Sequence, residues 1–135
     1  MKKFHLLSVA AVFVASPLMA AVPIPTVPNA VLEVRKIDES YTFLLSDAWK
    51  GNEDAIGALF KFVEQGFFEG KGKAEREHTI VLWSLLRHLG DDRYVVALDR
   101  EYPRLQAEVV RAIALEAGPA LAKYPKTAAR RNADQ

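Results

Sequence analysis

Apolar residues recur along this chain at three- and four-residue intervals with polar residues between them, the spacing of helices that bury one side. Val34, Ile37, Tyr41, Leu44, Leu45 and Ala48 form the first stripe, so one helix is expected from about Val31 to Trp49. Gly51 ends it, Asn52 stands where a cap belongs, and Glu53 and Asp54 suit the positive end of the next helix. That second helix carries Ile56, Leu59, Phe60 and Val63 and stops at Gly66. A third begins near Lys73, with His78, Val81, Leu82, Leu85 and Leu89 on one side and Ile80 and Trp83 on another. A helix apolar on two sides belongs between others. Gly90 closes it, Asp91 or Asp92 is expected to cap a short fourth helix bearing Val95, Val96 and Leu98, and Pro103 opens a fifth with Leu105, Val109, Ala112 and Ile113. No stretch alternates like a strand. The pattern predicts an all-α domain of about five helices over residues 31–118, joined by short connections.

The two ends read differently. Lys2 and Lys3, an apolar run from Leu6 to Ala15 and the small residues Ala20 and Ala21 have the order of a secretory signal peptide over residues 1–20. The run is shorter than the roughly 20 apolar residues of a membrane span. Residues 21–30, with Pro23, Pro25 and Pro28, read as an extended leader. Residues 119–135 hold Lys123, Lys126, Arg130 and Arg131 against one acid, Asp134, and are expected to form a flexible basic tail.

The chain has no cysteine, which excludes disulfides, thiol nucleophiles, thiolate metal sites and a lipid-anchored signal. A periplasmic protein, soluble after cleavage and stabilised by packing alone, is expected. Arg87, Arg93, Arg100, Arg104 and Arg111 alternate with Asp91, Asp92, Asp99, Glu101 and Glu108, so the surface offers no continuous track for a nucleic acid. Without Lys2 and Lys3 the chain is close to neutral.

A weak internal echo links LLSDAWKGNEDAIGAL with LLRHLGDDRYVVAL, offset by about 40 residues. Each runs from a helix end through glycine and an acidic cap into another helix. On that pattern the segment from Trp83 to Ile113 resembles HEAT-type and armadillo-type helical-pair repeats. The resemblance implies a short stack of helix pairs, with an irregular helical bundle as the alternative.

Candidate chemistry is sparse. Glu75 and His78 have the Glu-x-x-His spacing of carboxylate-bridged metal bundles, which need two such motifs and further glutamates. One motif does not suffice, so no metal or cofactor is expected, and His78 is read as a buried histidine with a polar partner. His88, Asp91 and Asp92 put acids beside a histidine, but HLGDD is also how a helix ends and the next begins. No enzyme is expected. The remaining feature is the loop EQGFFEGKGK, where Gly66, Gly70 and Gly72 surround Phe67 and Phe68. Phe67 is expected to fold back over Leu59 or Val63, and Phe68 to point outward as an anchor for a partner. The candidate contact residues are therefore Phe67, Phe68, Lys71, His88, Asp91, Asp92 and Arg93.

In build and export the chain is similar to the small helical immunity proteins that block toxic cell-wall hydrolases. The resemblance implies an exported, non-catalytic protein-binding module. An envelope assembly or chaperone-like factor, and a small-ligand binder with a cavity between helices, are the alternatives.

Overall fold

The first expected helix is two. In the computed structural model, which describes residues 31–64 and 66–135, α1 spans Leu32–Ile37 and α2 spans Tyr41–Trp49. The break is local chemistry at Asp38, Glu39 and Ser40. One Asp38 carboxylate oxygen accepts both the Ser40 backbone N–H, at 2.9 Å, and the Ser40 hydroxyl, at 2.6 Å. A short acidic side chain that captures its own backbone competes with helix continuation. The signal peptide and leader expected over residues 1–30 lie outside the described residues.

Then follow α3 (Glu53–Lys61), α4 (Gly72–Leu89), α5 (Asp91–Leu98), α6 (Pro103–Ala117), a 3₁₀ segment (Gly118–Lys123), α7 (Pro125–Ala128) and a last 3₁₀ turn (Ala129–Asn132). The described residues are all-α, with seven α-helices where about five were expected. No described helix is long and apolar enough to cross a membrane.

The chain packs as successive pairs: α2 with α3, α4 with α5, and α6 with the C-terminal turns. The pairs lie side by side, so α4 touches both α2 and α6 while α5 touches both α3 and α7. α4 is the centre. Its Val81, Leu82, Leu85 and Leu86 are fully buried, and each such side chain stabilises the fold by about 1.5–3 kcal/mol. Polar links join neighbouring pairs: His88 to Trp49, Lys61 to Glu101, Tyr102 to Glu64, and Arg100 to Glu53 and Asp54.

The C-terminal residues expected to be flexible are folded back onto the domain. Gly118, at φ +55°, reverses the chain after α6, and Leu121 and Thr127 are buried. The Tyr124 ring stands edge-on to Trp83 with centroids 5.6 Å apart, so the second apolar side of α4 is covered by this segment. Arg130 donates to Asp99 at 2.7 Å, and Arg111 makes a two-pronged contact with Asp134 at 2.9 and 3.0 Å. A reading by charge alone misses this because Lys126 and Arg130 have their acidic partners, Asp92 and Asp99, far earlier in the chain.

Candidate functional site

The glycine-rich loop is built from three overlapping turns. Phe67 N–H donates to Glu64 O, Glu69 N–H to Gly66 O and Lys71 N–H to Phe68 O, at 3.2, 3.3 and 2.8 Å. Gly66 and Gly70, at φ +94° and +74°, hold positions that side-chain-bearing residues rarely adopt.

This winding decides where the two phenylalanines go. Phe68 is buried, 8% exposed, and Phe67 is only partly buried, the reverse of the expected division. The rings are mutually perpendicular with centroids 4.8 Å apart. Phe67 lies against Phe62 at 4.5 Å, and Phe68 lies 5.5 Å from the His78 ring. With Tyr41 and Phe62, each 5.6 Å from His78, Phe68 roofs the histidine. Phe68 is therefore part of the core.

His78 joins three helices. Its Nε2–H donates to the Leu59 carbonyl of α3 at 2.8 Å, which leaves Nδ1 to accept the Tyr41 hydroxyl of α2 at 2.6 Å. Burial lowers its pKa from 6.5 to about 4, although the Leu59 bond favours the proton. The imidazole is neutral at physiological pH and both nitrogens are engaged. Among the described residues, no three acidic or imidazole side chains converge as metal ligands.

The expected contact residues do not form one site. Phe67, Phe68 and Lys71 lie at the start of α4, while His88, Asp91, Asp92 and Arg93 lie at its far end, about 27 Å away by the rise of an 18-residue helix. His88 stacks on Trp49 at 3.9 Å and its Nε2 donates to the Trp49 carbonyl at 2.9 Å. The Arg93 guanidinium lies over Gly51, whose φ of +93° tightens the turn between α2 and α3. Asp91 or Asp92 was expected to cap the helix that begins there, and neither does so through its side chain. Instead the Asp91 carboxylate accepts the backbone N–H groups of Lys126 and Thr127, and caps α7. Asp92 pairs with Lys126 at 2.8 Å.

On the surface the loop separates two grooves. One, of about 380 Å³, is lined by Glu33, Lys36 and Ile37 of α1 and by Gly70 through Ala74. The other, of about 490 Å³, is lined by Val63, Glu64, Gly66, Phe68, Glu69, Gly70, Gly72 and Glu75. Of these lining side chains, only Phe68 and Lys71 were singled out from the sequence as contacts. The alternation of charged residues with glycines was the available signal for Glu69 and Lys73. Comparison of the chain with protein-family models, curated proteins and solved structures finds no match in any of the three.

Proposed function

We propose that this chain is an exported, non-catalytic protein-binding module, built from helical pairs of the HEAT or armadillo kind, that occludes another protein in the bacterial envelope. The observation that carries the reading is the use made of the two described histidines. His78 and His88 each donate to a main-chain carbonyl of another helix, at 2.8 and 2.9 Å, and so hold the stack together. Asp91, three residues after His88, serves structure as well, capping α7. What such a scaffold offers is surface, and its loops are the natural place for recognition. The side-by-side packing of α2 with α3, α4 with α5, and α6 with the C-terminal turns supports the helical-pair reading.

Within this reading the immunity role is the sharpest form. Affinity capture of the tagged, exported chain from periplasmic extract, followed by mass spectrometry, tests it. A captured cell-wall hydrolase whose activity is abolished by an equimolar amount of the chain supports it. An envelope assembly factor as the only stoichiometric partner transfers the module to that role, and a co-purified metabolite without any protein overturns the module reading.

A further inference from the structure

Gly70 and Gly72 line both grooves, so they form a saddle between two surfaces of opposite charge. On the α1 side the floor is Ile37 and Ala74, and the rim is Lys36, Lys71 and Lys73. The one acid there, Glu33, is bound to Lys36 at 3.0 Å, and among the described residues Lys71 and Lys73 form no ion pair. On the other side Glu64, Glu69 and Glu75 surround Val63 and the edge of Phe68, with no basic residue in the lining.

We propose that this saddle holds an extended segment of a partner protein whose acidic residues lie over Lys71 and Lys73 and whose basic residue, a short way along, enters the groove of Glu64, Glu69 and Glu75. The inference rests on the binding-module reading and adds the chemistry of the partner. Charge complementarity selects the occupant. A nucleic acid suits the lysine side and is repelled by the glutamate side, whereas a polypeptide carries both signs in fixed order. Size suits an extended segment: each groove, at about 380 and 490 Å³, is at the small end of ligand pockets and has room for a few side chains. The saddle itself bears no side chain, and a Cβ built on Gly70 or Gly72 meets nothing within 4 Å. A partner backbone can therefore approach closely, and Gly72, whose φ is ordinary, can accept a larger residue that blocks the crossing without a clash.

The test uses the full chain in the cells that encode it, with a photo-reactive amino acid at Lys71, at Glu69 or at Leu115, an exposed position of α6 outside both grooves. Cross-linked partner peptides are then sequenced by mass spectrometry. The expected result is an acidic peptide from position 71 and a basic one from position 69, both from one short segment of the same protein. Gly72→Leu should lower both yields by at least about tenfold while its urea midpoint stays at or above that of the parent. Peptides from unrelated proteins, peptides of the same charge from both positions, or a lipid adduct in place of a peptide overturn the proposal. Cross-linking from Leu115 alone removes the saddle and keeps the module; none from any position removes both.

Discussion

Asp91 is the first residue of α5, yet it caps a different helix: its two carboxylate oxygens accept the backbone N–H groups of Lys126 and Thr127, at 2.8 Å each. The same device works at the other end of the domain. Glu77 of α4 accepts the N–H groups of Glu33 and Val34 at 2.8 and 3.0 Å, where α1 has no cap of its own. A helix as short as α1 or α7 gains little from its own hydrogen bonds. A carboxylate from a longer helix supplies both the acceptor and the negative charge that the first turn lacks.

Asp91→Ala should therefore lower stability by about 1–2 kcal/mol, the range for losing a helix cap, and Asp91→Asn by less because it keeps an acceptor. Hydrogen exchange should quicken in residues 118–132 before it quickens in α4. Partial burial alone would raise the Asp91 pKa, but the two backbone N–H groups and the Lys126 charge together hold it below the usual carboxylate range. A depressed folded-state pKa means the contribution is present above the unfolded value near 4 and is lost as pH falls through the lower folded value. Equal urea midpoints for Asp91→Ala and the parent at pH 7 would show that the cap is energetically idle.

His78 gives pH dependence in a higher window. Its folded pKa is about 4 against 6.5 in the unfolded chain, so the unfolded chain binds more protons between those values. Stability is full above about pH 6.5 and declines toward pH 4, by roughly 3 kcal/mol on the scale of 1.36 kcal/mol per unit. Urea midpoints at pH 7.5 and 4.5 measure the decline, and His78→Gln should remove most of it while also lowering stability at both pH values. An undiminished decline in that variant would assign it to other groups.

Phe68→Ala should cost about 3–5 kcal/mol, as for other buried aromatic rings, and Phe67→Ala less. The Phe68 ring also keeps water from His78, so its removal should raise the His78 pKa toward the ordinary value. Imidazole chemical shifts followed across pH read this directly. A Phe68→Ala protein within about 0.5 kcal/mol of the parent, with its histidine titration unchanged, would return Phe68 to the surface.

Periodicity made α3 to α6 legible, because a stripe such as Val81, Leu82, Leu85 and Leu89 needs no knowledge of its partners. The break at Asp38 was not legible. The stripe of Val34, Ile37 and Tyr41 runs through it, and only the capture of Ser40 by Asp38 stops the helix. The fate of residues 119–135 was hidden for a different reason. Their order depends on Trp83, Asp91 and Asp99, all far earlier in the chain, and composition does not record long-range partners. The two phenylalanines show the limit at the candidate site. Adjacent positions in a loop of turns do not alternate predictably, so which ring faces inward is fixed by Gly66 and Gly70 and by the histidine beneath.

Two glycine substitutions separate backbone need from open space. Gly51 has φ +93°, and the Arg93 guanidinium occupies the place where a Cβ would project. Gly51→Ala must hold a left-handed conformation and displace Arg93, so a loss of about 1–2 kcal/mol is expected from the backbone alone. Gly72 is the first residue of α4, its φ is ordinary, and its missing side chain faces open space. There alanine restricts the unfolded chain without straining the folded one, and Gly72→Ala should gain about 0.4–1 kcal/mol. Thermal and urea unfolding of the two variants side by side measures the contrast. If Gly72→Ala is destabilised as much as Gly51→Ala, the start of α4 is not a relaxed helix turn, and the saddle between the two grooves has a different backbone.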